Sequence, residues 1–219
     1  MPSIFVLFDV DNTLLNTDLA VERIQAEMRT AVGESHARRF WEIYEEVRTD
    51  GDSVNIPDTL ERFSLECADL RAVSRMSELI YGFDFEGCIF PGALEAIDHA
   101  MKLGGAAILS DGDQLYQRHK ITVAGLEQAV GGNVMVQKHK EQVLQLVTSR
   151  FPADHYVAVD DKPLVLARMK RELGSKLTTV QVCQGKYAGT GELGATPDLT
   201  IKLIGQFTAL TPADLAPAG

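Results

Sequence analysis

The sequence predicts an α/β fold: a doubly wound parallel sheet into which a separate helical domain is inserted. Short runs of residues that are apolar on both faces recur along the chain, which is typical of parallel strands covered on both sides. Helical patterns separate the later runs, as expected when helices pack on both faces of such a sheet. Residues 16–88 differ from the rest of the chain, because their pattern is amphipathic and helical throughout.

Five apolar runs are predicted to form the strands of the sheet, and a shorter sixth run is predicted at its edge. The five runs are residues 4–10, 106–109, 134–136, 156–159 and 179–183, and the sixth is residues 199–202. Helices are predicted between them at residues 93–103, 114–126, 140–150 and 164–173. The first of these helices follows a proline and precedes two glycines, which are the usual start and stop signals of a helix.

The inserted segment is predicted to contain four helices, at residues 18–32, 35–49, 57–67 and 72–81. A polar break at residues 49–54 is predicted to be its most exposed loop. The predicted domains are therefore a sheet domain of residues 1–15 and 89–219 and a helical domain of residues 16–88.

Composition and charge argue against several classes of protein and partner. The chain has 219 residues, of which 45% are apolar and 24% are charged, as in ordered globular proteins. The net charge of −10 argues against a nucleic-acid backbone or an anionic membrane surface as the main partner. The three cysteines lack metal-ligand spacing, and the N-terminal apolar run is too short for a signal sequence. We therefore expect a cytoplasmic protein with reduced thiols; the sequence leaves its oligomeric state open.

Chemically reactive side chains follow four of the predicted strands. Ligands bind to sheets of this kind at the carboxyl ends of the strands, so these side chains should meet at one edge. In chain order they are Asp9 and Asp11, then Ser110, then Lys138 with Lys140 close behind, and finally Asp160 and Asp161. One such residue alone would carry little weight, but the coincidence across four strands predicts a functional site.

The residue types in this set predict a magnesium and phosphate site. Asp9 and Asp11 are two positions apart on an extended chain, so both carboxylates can face the same site. With Asp160 added, the carboxylates are too crowded to stay ionised without a cation, and Mg²⁺ prefers such oxygen ligands. A hydroxyl and an ammonium group opposite the ion can bind the remaining oxygens of a phosphate group.

Five stretches of the sequence resemble those of the haloacid dehalogenase (HAD) superfamily. FDVDNTL (residues 8–14) is similar to the first motif of that superfamily, and AAILSDGD (106–113) to the second. VMVQKHKEQVL (134–144) and YVAVDD (156–161) are similar to the third and fourth. FPGALEAIDHAMKLGG (90–105) resembles the stretch with which these proteins return to the sheet after an insertion. The resemblance spans the whole chain and implies a Rossmann-like core with an α-helical cap domain inserted after the first motif.

The resemblance implies a role for each matching acid. Asp9 would be the nucleophile that forms an aspartyl-phosphate, and Asp11 would protonate the leaving oxygen and later activate water. Mg²⁺ would bind Asp9, the backbone carbonyl of Asp11, and Asp160, while Asp161 would support these ligands. One departure from the usual pattern is Asp111, at a position where asparagine is more typical; the sequence leaves its use open.

For the phosphate group, the resemblance implies Ser110 and one lysine as ligands, with Thr13 supporting the loop around it. Two lysines fit the third motif. Lys138 stands six residues before Leu144 and Lys140 stands four before it, and relatives with either spacing exist. The sequence favours Lys138, which directly follows the strand, with Lys140 as the alternative.

Asp11 also bears on which reaction of the superfamily is expected. Relatives that cleave carbon–halogen bonds need no metal and no acid two residues after the nucleophile. Asp11 therefore favours a Mg²⁺-dependent phosphatase acting on a small phosphorylated metabolite. A phosphoglucomutase-like phosphotransferase and a 2-haloacid dehalogenase are the alternatives within the superfamily. A catalytically silent binding or scaffold protein is the alternative of another class, although buried unpaired carboxylates would destabilise it.

Overall fold

A six-stranded, all-parallel sheet lies at the centre of the computed structural model, which describes residues 3–51, 54–185 and 196–216. The strands are β1 (Ile4–Phe8), β2 (Ala106–Asp111), β3 (Val134–Gln137), β4 (His155–Asp160), β5 (Leu177–Val182) and β6 (Leu199–Ile201). Their order across the sheet is β3-β2-β1-β4-β5-β6. The predicted α/β class with a doubly wound parallel sheet is confirmed, and the sixth strand lies at an edge as predicted.

Helices connect these strands. They are α1 (Thr17–Val32), α2 (Glu34–Gly51), α3 (Ile56–Glu66), α4 (Leu70–Tyr81), α5 (Ala93–Leu103), α6 (Tyr116–Val123), α7 (Leu126–Ala129), α8 (Leu144–Arg150), α9 (Pro163–Leu173) and α10 (Pro212–Leu215). The helix predicted at residues 114–126 is present as the shorter α6, and Gly125, with a φ of +75°, separates it from the short α7. The helix predicted at residues 140–150 begins as a 3₁₀ turn at Lys140–Val143 and continues as α8.

The central strand β1 has neighbours on both sides and is buried along its whole length. Successive side chains of a strand point to opposite faces of the sheet. Val6 and Phe8 accordingly belong to one apolar cluster, and Phe5 and Leu7 belong to a second cluster on the other face. This two-sided burial explains the unbroken apolar run in the sequence. It also determines where Asp9, the residue directly after β1, lies at the edge of the sheet.

The helices α1–α4 join the sheet through two neighbouring links. Leu15, on the way out, forms an antiparallel bridge with Ile89, on the way back. The amide of Phe90 donates a hydrogen bond to the carbonyl of Leu14 (2.9 Å) beside this bridge. The predicted boundaries of the helical domain, residues 16 and 88, adjoin these links, and the division into two domains stays a prediction.

The four inserted helices pack on one another through an apolar interior. Phe40 of α2 and Phe63 of α3 are both buried, and their ring centroids are 5.8 Å apart in an edge-to-face arrangement. The loop predicted at residues 49–54 begins later than expected, because α2 extends to Gly51; residues 52 and 53 lie outside the described residues. Within the described ranges, none of the helices combines the length and apolar character that crossing a membrane requires.

Candidate active site

The loop after β1 presents Asp9 and Asp11 at the edge of the sheet. The amide of Asp9 donates to the carbonyl of Val159 in β4 (2.9 Å), so Asp9 still belongs to the sheet ladder. Asn12 then turns the chain with a φ of 57°, a left-handed conformation that asparagine tolerates better than most residues. Its amide donates to the carbonyl of Leu15 (2.8 Å), which closes the loop. Both carboxylates are therefore carried by a tightly bonded turn.

Lys140, rather than Lys138, lies among the acids. Its ammonium nitrogen is 2.5 Å from Oδ1 of Asp9 and 2.6 Å from Oδ2 of Asp160, and all three side chains are almost completely buried. Lys138 is exposed. The preference for Lys138 at the sequence level therefore does not match the structure, and the alternative, Lys140, does. The cause is the turn after β3, which directs the first lysine outward and begins a 3₁₀ turn at the second.

Asp111, the residue that departs from the usual pattern, bonds to this turn. Its Oδ1 accepts a hydrogen bond from the backbone amide of Lys140 (2.9 Å). The carboxylate therefore caps the start of the 3₁₀ turn and holds the backbone from which Lys140 reaches Asp9. This contact gives Asp111 a structural use that the sequence left open.

Burial and crowding shift the pKa of the nucleophile candidate. Burial raises the pKa of Asp9 to about 6; the ammonium of Lys140 opposes this rise, and the charge of Asp160 adds to it. For Lys140 itself, burial opposes the charged form, but Asp160 and Asp9 outweigh that effect and hold its pKa well above the usual value. Above about pH 6, a carboxylate and an ammonium thus face each other in the interior.

Asp161 extends the acidic group and has no bonded partner. Within the described residues, neither of its carboxyl oxygens has a hydrogen-bond partner, and the same holds for Oδ2 of Asp9. Burial, followed by the charges of Asp160 and Asp9, raises the pKa of Asp161 to about 9. One oxygen from each of these three residues lies within 4.8 Å of the others. Three buried carboxyl groups at this spacing, two of which have unbonded oxygens, fit a hard divalent cation such as Mg²⁺.

A second amine borders the same acids. Lys162 follows the acidic pair, and its backbone amide donates to Oδ1 of Asp160 (2.8 Å). Burial opposes the charged form of its side chain, but Asp9 outweighs this effect, and the pKa of Lys162 is raised. The charges of Lys140 and Lys162 thus both act on the acids of the site. Lys140 was a candidate from the sequence, and Lys162 was not.

Asp11 is held by three donors on two different helices. Thr17 of α1 donates its hydroxyl to Oδ1 (2.5 Å), and Lys120 of α6 lies 2.5 Å from the same oxygen. Gln117 of α6 donates to Oδ2 (2.8 Å). Burial favours the neutral form, but the charge of Lys120 and these hydrogen bonds outweigh it and hold the pKa of Asp11 well below its usual range. Asp11 is thus an ionised acceptor in this arrangement.

Ser110 and Thr13 lie in the same region but differ in their contacts. The hydroxyl of Ser110, buried at the end of β2, accepts a hydrogen bond from Gln117 (2.8 Å). Thr13 is also buried, and its hydroxyl has no partner among the described residues. Its carbonyl accepts a hydrogen bond from Gln184 (2.7 Å). Thr13 therefore links the loop after β1 to the segment that follows β5.

The segment after β5 lies directly against the loop that carries the acids. Gly185 has a φ of +70°, and a Cβ at this position would lie 2.7 Å from the Cβ of Asn12. A side chain at residue 185 would therefore push on the turn between Asp11 and Thr13. Close packing from this side restricts the conformation of the turn.

The charge of Asp11 acts on two phenols, one of which belongs to an inserted helix. Burial, together with the nearby charge of Asp11, raises the pKa of Tyr44 in α2 to about 12. The same two causes, in the same order, raise the pKa of Tyr116 in α6. The charge of Asp11 thus acts on phenols from an inserted helix and from a helix of the sheet region.

Comparison with known proteins shows the family. No family model and no curated protein matches the chain. A solved structure from Burkholderia xenovorans LB400, described as a haloacid dehalogenase-like hydrolase, is 38% identical, covers 95% of this chain and 99% of its own, and has a TM-score of 0.88. More distant structures share the fold. L-2-haloacid dehalogenase from Xanthobacter autotrophicus, with chloropropionic acid covalently bound, is 17% identical over 96% of this chain and 98% of its own (TM-score 0.63). The HAD-hydrolase YfnB from Bacillus subtilis, bound to magnesium, is 14% identical over 95% and 98% (TM-score 0.65).

The match to the Burkholderia structure covers nearly the whole of both chains at an identity well above that of a shared fold alone. The resemblance in the five sequence stretches and the order of the strands agree with it. The chain belongs to the haloacid dehalogenase-like hydrolases.

Proposed function

We propose that this hydrolase is a Mg²⁺-dependent phosphatase that acts on a small phosphorylated metabolite through an aspartyl-phosphate on Asp9. The observation that carries the proposal is the pairing of an unbonded, buried oxygen of Asp9 with a buried ammonium on its other oxygen. A nucleophile with one free oxygen, beside a cation able to bind the incoming anion, suits attack on a phosphoryl group.

The chain's own residues divide the work of the reaction. The free Oδ2 of Asp9 attacks phosphorus, and the bond to the leaving oxygen breaks as the aspartyl-phosphate forms. Lys140 and Ser110 bind the oxygens of the phosphoryl group and stabilise the charge that develops on them. Asp11, ionised in the free protein, accepts a proton from the incoming phosphate monoanion and gives it to the leaving oxygen as the bond to phosphorus breaks. The carboxylate then accepts a proton from the water that hydrolyses the intermediate.

The acids of the site fit a magnesium ion. Asp9, Asp160, Asp161 and the backbone carbonyl of Asp11 would hold Mg²⁺, which would neutralise the repulsion between an anionic nucleophile and an anionic substrate. Asp161 had been expected only to support the ligands, but its two unbonded oxygens favour direct binding.

The proposal also covers the partner and the location. Thr17 of the inserted helix α1 donates to Asp11 (2.5 Å), so an inserted helix approaches the acids, which favours a small metabolite over a bulky phosphoprotein. The net charge of −10 argues against nucleic acid and anionic membrane surfaces. Free thiols at Cys67, Cys88 and Cys183 favour the reducing cytoplasm.

A 2-haloacid dehalogenase is the second candidate. Lys140 and Lys162 place two ammonium groups near Asp9, which offsets the charge of the acids without an ion. Attack of Asp9 on carbon with departure of halide needs no acid to protonate the leaving group. The three donors that keep Asp11 ionised would therefore not slow that reaction.

Release of phosphate from a panel of phosphorylated metabolites, with and without Mg²⁺, tests the proposal. We expect turnover of at least one phosphate ester that requires the metal. Halide release from a 2-haloacid in the presence of a chelator would overturn it in favour of the dehalogenase. Transfer of the phosphoryl group to a sugar would indicate the phosphoglucomutase-like reaction. A protein that neither turns over any substrate nor binds Mg²⁺ would be a binding or scaffold protein.

Magnesium should stabilise the protein even without a substrate. At a concentration 100 times its dissociation constant, Mg²⁺ is expected to add about 2.7 kcal/mol to the free energy of unfolding. Asp160→Asn should lose most of this gain, because it removes a charged oxygen ligand, whereas the exposed Asp98→Asn should keep it. Thermal unfolding of the three proteins, followed with increasing Mg²⁺, makes the measurement. Equal gains in all three would contradict a metal site at Asp160.

A further inference from the structure

Helix α6 contributes a buried cation that is absent from all four sequence motifs. The side chain of Lys120 is only 6% exposed, and its nitrogen lies 2.5 Å from Oδ1 of Asp11, whose side chain is 28% exposed. A lysine is rarely buried to this degree unless it is paired, because its charge must leave water. The pair therefore depends on both members.

Gln117, one turn before Lys120, binds the other oxygen of the same carboxylate. Its amide nitrogen donates to Oδ2 of Asp11 (2.8 Å) and to the hydroxyl of Ser110 (2.8 Å). An amide group has two N–H bonds, so it can serve both acceptors. Gln117 thereby fixes Asp11 relative to a residue proposed to bind the phosphoryl group.

Together, these contacts determine the rotamer of Asp11. Lys120 and Thr17 bind Oδ1, and Gln117 binds Oδ2, so rotation of the carboxylate would break several short bonds at once. A purely structural contact at this position could be made by an apolar side chain, which would avoid the cost of burying a charge. A lysine on a buried helical face is better explained by the need for a charged donor that fixes the carboxylate of Asp11.

We propose that Lys120 is a positioning residue for the hydrolysis, acting through Asp11 by holding its carboxylate in one orientation beside the nucleophile. This inference rests on the proposed phosphatase function. Lys120 does not touch the phosphoryl group in this proposal. Its contribution should therefore appear only in steps that use Asp11, namely proton delivery to the leaving oxygen and activation of water.

Lys120→Met should separate this role from a structural one. With the best alkyl phosphate of the panel, we expect kcat to fall roughly 10–100-fold and KM to change little, as part of the 10²–10⁴-fold effect typical of acid–base catalysis. With 4-nitrophenyl phosphate, whose leaving group needs no proton, the loss in the phosphorylation step, read from kcat/KM, should be several-fold smaller. Lys120→Arg, which keeps the charge, should restore part of the rate.

A double-mutant cycle with Asp11→Asn gives the second readout. If Lys120 acts through Asp11, adding Lys120→Met to Asp11→Asn should change the remaining rate by no more than about twofold. Arg118→Met, an exposed change on the same helix, is the matched control and should leave the rate unchanged. Should Lys120→Met fail to fold, as judged by its melting curve, Lys120→Gln replaces it in the same cycle.

The possible outcomes are distinct. Losses that multiply in the cycle, or that are equal for both substrates, or that raise KM alone, would overturn the positioning role. A wild-type protein that releases phosphate from no substrate would overturn the phosphatase proposal and this inference with it. A loss of rate that is larger for the alkyl phosphate, is non-additive with Asp11→Asn and is partly restored by Lys120→Arg would support both proposals.

Discussion

Replacing Asp9 with asparagine is expected to lower kcat for phosphate release by about 10³-fold or more, the scale seen when a catalytic nucleophile is removed. An amide oxygen cannot replace the carboxylate as the attacking group, and no aspartyl-phosphate can form. The fold should survive, because Lys140 keeps its second partner, Asp160, at 2.6 Å. Measurement of single-turnover phosphate release and of the melting temperature checks both halves of this expectation.

The control for this experiment is the exposed Asp98→Asn, which removes the same charge from α5, a helix that carries none of the proposed site residues. Its rate should match the wild type. Retention by the Asp9 variant of more than about a tenth of the wild-type rate would show that another group attacks the substrate.

Lys140→Met is expected to affect both stability and turnover. It leaves Asp9 and Asp160 buried without their shared cation, and removal of one partner from such a pair costs about 3–5 kcal/mol in the free energy of unfolding. Phosphate turnover should fall at the same time, because the incoming anion loses its ammonium ligand. Urea unfolding in the presence of a chelator and a phosphate-release assay measure the two effects.

The loss of stability should depend on pH in a defined direction. The pKa of Lys140 is raised in the folded protein, so its contribution is present at neutral pH and lost only at high pH. Its partner Asp9 has a pKa of about 6, so the pair is complete only above that value. The destabilisation by Lys140→Met should therefore be larger at pH 8 than at pH 5.

Lys138→Met is the matched control, since the two lysines are two positions apart and only one is buried. It should change the free energy of unfolding by less than about 0.5 kcal/mol, as surface substitutions usually do. The opposite result, a large loss for residue 138 and a small one for residue 140, would favour the lysine that the sequence spacing indicated.

The fold could be predicted from the sequence because its strongest determinants are periodic. The strands β1, β2 and β4 are buried on both faces, so their residues form nearly continuous apolar runs in the sequence. The division between α6 and α7 could not be predicted in the same way. It depends on a left-handed Gly125 within a pattern that otherwise continues as a helix.

The candidate site could be predicted only in part, because spacing does not determine side-chain direction. Lys138 and Lys140 follow the same strand, and the choice between them depends on a turn capped by Asp111 from a neighbouring strand. The contacts of Gln117 and Lys120 with the carboxylate of Asp11 were not predicted, for a similar reason. Gln117 and Lys120 are three positions apart on α6, and polar residues on a face shared with the buried Ile121 were the available signal.

The paired links at Leu15 and Ile89 have a mechanical consequence. A hinge at these two links would let the four inserted helices rotate relative to α6. Thr17 lies just beyond the hinge, and Lys120 lies on the stationary side, so an outward swing would pull one donor off Asp11 and leave the other in place. Opening of the enzyme to admit substrate or release product would thus directly alter the bonding of its acid–base group.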